Sequence, residues 1–103
     1  MKEDILAERY LKALINTLPK ESVVSNLNTL SSIINTINSS SIVTNFFESP
    51  SISNSDKKKV LDTFIDTFKM DQLLTIFFRL LSENNRLDLL STIKKCISSE
   101  IDA

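Results

Sequence analysis

Histidine and glycine are both absent from this 103-residue chain, and cysteine occurs once. Without histidine the chain lacks the commonest general base and the commonest transition-metal ligand. Without glycine it can carry neither a glycine-rich phosphate loop nor a nucleophile elbow. The lone Cys96 closes no internal disulfide and builds no cysteine zinc site, in keeping with a reducing compartment. With only two prolines beside the missing glycines, the turn residues that hairpins use are scarce and strands have little support.

A dominant charge is missing as well. Twelve basic and 13 acidic residues leave a net charge of -1, so nothing attracts nucleic acid over long range. The one basic cluster, "DKKK" at Asp56–Lys59, reads as a solvated helix face. The longest apolar run, "LLTIFF" at Leu73–Phe78, ends at Arg79 and falls far short of the roughly 20 residues of a membrane-spanning helix. The opening "MKEDILAERY" has acidic residues and no continuous apolar core, so it is no secretory signal. These absences point to a soluble, cytoplasmic chain without catalytic residues, metal or cofactor. At 42% hydrophobic and 24% charged, the composition is that of an ordinary globular domain, and the length allows one.

What is present is helical periodicity, with apolar residues recurring at three- and four-residue steps. A first helix is expected from about Asp4 to Leu18, with Ala7, Leu11, Leu14 and Leu18 on one stripe and Leu6, Tyr10 and Ala13 beside it. Pro19 interrupts it. A second, about Glu21–Asn38, turns Val23, Leu27, Leu30, Ile34 and Ile37 inward. A short third lies around Ile42–Phe47, before the loop "ESPSISNS". The fourth is expected to begin near Ser55 as N-cap, with Asp56 in its first turn and Val60, Leu61, Phe64, Ile65 and Phe68 buried. The fifth spans Asp71–Asn84, capped by Asp71, and the sixth Leu87–Ser99, with Leu89, Leu90, Ile93 and Ile97 inward. Six short amphipathic helices make a compact all-α bundle with no internal boundary and no repeat.

The fifth helix departs from the pattern. Leu73, Leu74, Ile76, Phe77, Phe78, Leu80 and Leu81 leave only Thr75 and Arg79 as polar interruptions. A helix apolar on nearly all sides is either central to the core or covered by something else, such as a partner helix laid into a groove.

The fifth helix then stops at a polar knot inside "LLSENNRLDLLSTI". Asn85 is placed to take the left-handed conformation that ends helices, and Asp88 to favour the start of the next. "LLSENNRLDLL", preceded by "FF", resembles the "LLAENGRLxLL" segment of the delta subunit of bacterial F-type ATP synthase. The mitochondrial counterpart in that family is the oligomycin-sensitivity-conferring protein. "AERYLKAL" at Ala7–Leu14 is similar to the family's "ARRYAKAL", and "ESPSISNSDKKKVLDTF" resembles its "LxSPxISxxEKKxxL". The resemblance covers essentially the whole chain. Asn85 stands where the family has glycine, and Leu11 where it has a small residue. Family members continue into a C-terminal region, so this chain is expected to be the N-terminal domain of a longer subunit.

The resemblance implies a six-helix bundle seated on the catalytic head of the synthase. It implies that the domain binds the N-terminal helix of an alpha subunit in a groove between its first and fifth helices. The peripheral stalk b subunit is met through the C-terminal region, and the whole is a static joint peripheral to the inner (plasma) membrane. The residues it points to are Ala7, Tyr10, Ala13 and Leu14 from the first helix, and Leu73, Ile76, Phe77 and Leu80 from the fifth. Two alternatives stay open at this level. Leu14, Phe77 and Leu80 can be plain core, and the stripe of Leu74, Phe78 and Leu81 can form the groove wall instead. A free-standing helical adaptor that binds an unrelated amphipathic helix is the rival function. A small enzyme using Tyr10, Glu83 and Arg86 would need a polar pocket. Cys96, next to Lys94 and Lys95, is either an exposed thiol with a lowered pKa or a buried, incidental one.

Overall fold

The computed structural model describes residues 2–102. Its six α-helices are α1 (Lys2–Thr17), α2 (Val23–Asn38), α3 (Ser41–Glu48), α4 (Asn54–Phe68), α5 (Gln72–Glu83) and α6 (Leu90–Asp102). No strand occurs among the described residues. Single 3-10 turns, Lys20–Ser22 and Leu87–Leu89, lead into α2 and α6. The radius of gyration, 12.9 Å, matches the roughly 13 Å of a single compact unit of this length.

The helices start where side chains can satisfy their free N–H groups. Ser40 Oγ accepts from the Val43 N–H at 3.3 Å, Ser53 Oγ from Asp56 at 3.1 Å, and Asp71 Oδ1 from Leu74 at 2.9 Å. The cap of α4 is therefore Ser53, not the expected Ser55. Ser53 keeps the extended backbone a cap requires, while Ser55 already lies within the helix.

The helix ends show how a chain without glycine reverses direction. The only positive φ values among the described residues are at Lys69 (50°) and Asn85 (56°), just after α4 and α5. At each, two backbone bonds close the turn. Met70 N–H reaches Ile65 O at 3.2 Å and Lys69 N–H reaches Asp66 O at 3.3 Å. Arg86 N–H reaches Leu81 O at 2.7 Å and Asn85 N–H reaches Ser82 O at 3.0 Å. This is the paired pattern that normally recruits glycine, and asparagine is the side chain that best tolerates it.

The core gathers the inward stripes. Ala7, Leu11 and Leu14 of α1 meet Leu27, Leu30, Ile34 and Ile37 of α2, and Leu90, Ile93 and Ile97 of α6. The sixth helix is the central one, packed against both α1 and α2. Asn38 Nδ2 donates to Ser91 Oγ at 3.2 Å and Lys94 Nζ to Asn35 Oδ1 at 3.0 Å, so α2 and α6 run antiparallel. The fifth helix lies to one side, against α4 and α1. Lys57 departs from the expectation of a solvated "DKKK" face. Asp56, Lys58 and Lys59 are exposed, but Lys57 is buried. It precedes Leu61 by one turn, so its methylene stem lies along the inward stripe of α4.

The left-handed turn gives a direct test. Asn85→Val should lower the unfolding free energy by about 1–2 kcal/mol, since a Cβ-branched residue resists positive φ. Asn85→Gly should stay within about 0.5 kcal/mol of the parent or exceed it. Urea unfolding of both variants checks the ordering.

Candidate functional site

Helix α5 is divided lengthwise. Leu74, Phe77, Phe78 and Leu81 are buried, with Phe78 and Leu81 fully enclosed. On the other side Ile76 is 54% exposed and Leu80 41%. The two polar interruptions are accounted for within the fold. Thr75 Oγ1 donates to Met70 O at 3.4 Å, and Arg79 turns to α4, where Nη1 meets Asp62 Oδ1 at 2.7 Å. That pair is half-exposed, so it orients α5 on α4 and contributes roughly 0–1 kcal/mol.

Beside the exposed side of α5 runs an open groove of about 220 Å³, shared with α1. Tyr10, Ala13, Leu14 and Thr17 line it from α1, and Leu73, Ile76, Phe77 and Leu80 from α5. Positions 10, 13, 14 and 17 are one face of a helix, as are 73, 76, 77 and 80. Ala13 keeps the α1 wall low, so the groove can admit the bulk of another chain. Leu14 and Phe77 are buried and form its floor, while Ile76 and Leu80 form an exposed wall. The only side-chain polar groups in the lining are the hydroxyls of Tyr10 and Thr17. Thr17 Oγ1 donates to Leu14 O at 2.7 Å within its own helix, and Tyr10 Oη accepts from Asn84 Nδ2 at 2.9 Å. The surface presented is therefore apolar, as in sites that receive an amphipathic helix.

Other hollows lack this character. One beside Arg79 holds about 80 Å³ and is edged by Lys58 and Glu83. Another between α1 and α6 is edged by Glu8, Lys12 and Glu100. Among the described residues no group of His, Cys, Asp or Glu could hold a metal ion, and no helix is long and apolar enough to cross a membrane.

A groove between first and fifth helices of an all-α bundle is what the sequence resemblance implied, and comparison with known proteins decides the family. The family described as ATP synthase delta (OSCP) subunit matches residues 6–103. This chain belongs to the ATP synthase delta (OSCP) family. The ATP synthase subunit delta of Aliarcobacter butzleri (strain RM4018) is 35% identical over 99 residues, which is 96% of this chain and 54% of that protein. The chain thus spans about half the length of the curated relative it matches. No solved structure matches it. The delta/OSCP subunit is a structural part of ATP synthase, not a catalytic one.

Within this delta-family domain, seven of the eight residues singled out from sequence share the groove: Tyr10, Ala13, Leu14, Leu73, Ile76, Phe77 and Leu80. Ala7 does not line it. It is fully buried in the core, one turn before Leu11 on the inward stripe. Thr17 lines the groove and was not singled out. Its spacing of three and four from Leu14 and Ala13 is the signal that finds it. The alternative stripe of Leu74, Phe78 and Leu81 is core. Glu83 and Arg86 are exposed and line no pocket with Tyr10.

Cys96 is half-buried, and its thiol is pushed above the ordinary range first by burial and then by the carboxylates of Glu8 and Asp4. The lysines beside it in sequence do not lower it; the charges that matter come from α1. A raised pKa favours the neutral thiol in the fold. That preference is fully present below the ordinary thiol pKa and is lost as pH rises through the raised one. Labelling by a disulfide reagent at pH 7.5 should be slower than for an unhindered thiol and faster in Glu8→Gln.

The floor and the wall of the groove separate by mutation. Phe77→Ala should cost about 3–5 kcal/mol of stability, because the ring is buried and packs edge-on against Phe78 with centroids 6.1 Å apart. Ile76→Ser should change it by less than about 0.5 kcal/mol. Denaturant unfolding of the two variants, side by side, tests the division.

Proposed function

We propose that this chain is the N-terminal domain of a delta subunit and serves as a static joint in the stator of an F-type ATP synthase. In this reading the N-terminal helix of an alpha subunit lies in the groove between α1 and α5. The remainder of the subunit reaches the peripheral stalk b subunit, so the catalytic head is held against the turning rotor. The domain works in the cytoplasm, peripheral to the inner (plasma) membrane. It turns over no substrate.

One observation carries the reading. In a family of ATP synthase subunits, this domain leaves Ile76 and Leu80 exposed over an apolar groove whose floor is its own core. Each apolar side chain fully buried is worth roughly 1.5–3 kcal/mol. A helix bringing several anchors to the groove can therefore bind after its loss of translational and conformational freedom is subtracted. A stationary joint needs no more chemistry than this. It needs a seat already shaped before the partner arrives, so that little is lost to ordering.

The test is a calorimetric titration with a synthetic peptide of the alpha subunit's N-terminal segment. Saturable one-to-one binding with a negative heat-capacity change is the expected outcome. Tyr10 is the only tyrosine and there is no tryptophan, so intrinsic emission reports on the groove and should change in step. Ile76→Asp should weaken binding at least tenfold. Absence of binding by a folded, monomeric domain overturns the reading.

A further inference from the structure

The groove is apolar along its length but not at its Tyr10 end. There the Asn84 side-chain amide donates to the Tyr10 phenolic oxygen at 2.9 Å, joining residues 74 apart in the chain. Asn84 sits on a closed turn. Its own N–H reaches Leu80 O at 3.1 Å, and the left-handed Asn85 that follows is locked by its N–H to Ser82 O and by the Arg86 N–H to Leu81 O. The amide that holds Tyr10 is thus fixed from behind by the end of α5.

The direction of that bond matters. A phenol accepts through its oxygen and donates its single proton. Asn84 occupies the accepting side, and no acceptor for the Tyr10 proton occurs among the described residues. Thr17, the other hydroxyl in the groove, already donates to Leu14 O. One unused donor therefore remains in the lining, at one end, on a half-buried ring held in place.

We propose that Tyr10, positioned by Asn84, is a polar end-stop that donates to a hydrogen-bond acceptor on the docked helix and so sets its register. The inference rests on the reading of the groove as the seat of the alpha-subunit helix. A helix in a wholly apolar groove can slip by a turn with little change in buried area. A donor covered without an acceptor penalises the slipped register, since a desolvated and unpaired polar group is costly. The acceptor is either a side-chain carboxylate or one of the carbonyls left without partners at a helix C-terminus.

Calorimetric titration of the same peptide against the parent domain, Tyr10→Phe, Asn84→Ala and Asn84→Asp tests this, with affinity taken per folded molecule. Tyr10→Phe should bind about fivefold more weakly, the scale of one hydrogen bond. Asn84→Ala should weaken binding about twofold, and should have no further effect on top of Tyr10→Phe. Asn84→Asp should be as weak as Tyr10→Phe, because an ionised carboxylate takes the phenol proton for itself. A purely structural role for Asn84 gives no such ordering. Loss of the Tyr10→Phe difference with a peptide whose carboxylate side chains are replaced by alanine identifies a carboxylate acceptor, and its persistence a carbonyl. Variants that bind like the parent, or an Asn84→Asp at least as tight as Asn84→Ala, overturn the end-stop and leave the groove reading intact. A parent domain that does not bind overturns both.

Discussion

The left-handed turn at Asn85 is the constraint on which most of this structure depends. A chain without glycine must make its left-handed turns with residues that carry a Cβ, and among the described residues it does so at Lys69 and Asn85. The second reversal sends the chain from α5 into the 3-10 turn of Leu87–Leu89 and then into α6. Leu87, Leu89 and Leu90 are buried within a few residues of it. The central helix of the bundle reaches its place between α1 and α2 only through this turn. The same turn mounts Asn84 where its amide meets Tyr10, 74 residues earlier in the chain. One backbone conformation thus governs both the core and one end of the groove.

The division of α5 follows from where that helix lies. A helix packed on two neighbours, α4 and α1, has inward positions for about half its circumference. Leu74, Phe77, Phe78 and Leu81 fill them, and Arg79 is drawn aside by Asp62. Of the three apolar residues that remain, Leu73 is partly buried against the core, while Ile76 and Leu80 are left exposed. Exposed apolar side chains are common singly, but two on successive turns beside a small-residue wall at Ala13 form a continuous apolar strip. Their exposure is a consequence of the packing, and the function proposed here makes use of it.

Much of this was legible in the sequence, because the information was periodic. Inward stripes at three- and four-residue steps identified all six helices and nearly every core residue of α2 and α6. The Asp71 cap and the left-handed Asn85 followed from local chemistry alone. The misses arise where a tertiary neighbour decides. Ser53 and Ser55 are equally good caps by composition, and the path of the loop selects Ser53. Lys57 looked solvated beside two exposed lysines, yet it sits one turn before Leu61 on the buried side. Ala7 and Ala13 share a helix and a size, but Ala13 lines the groove and Ala7 is enclosed in the core. Cys96 has lysines next to it in sequence and carboxylates of another helix around it in space. Nothing within α6 announces Glu8 or Asp4.

The floor of the groove raises a last point about coupling. Leu14 and Phe77 belong both to the core and to the groove lining, so the shape of the seat is set by the residues that hold the fold together. A ligand that binds only the folded state adds its binding free energy to the stability of that state. On the proposed reading, the docked helix covers Ile76 and Leu80, and in doing so resists any motion that separates α1 from α5. Those helices already meet through Asn84 and Tyr10 at one end. A partner lying along the groove would tie them over its whole length. Load passed into the domain would then be shared by both groove helices and the core beneath, rather than borne by a single surface helix. That is the mechanical property a stationary joint requires, and it follows from building the floor of the seat out of core residues.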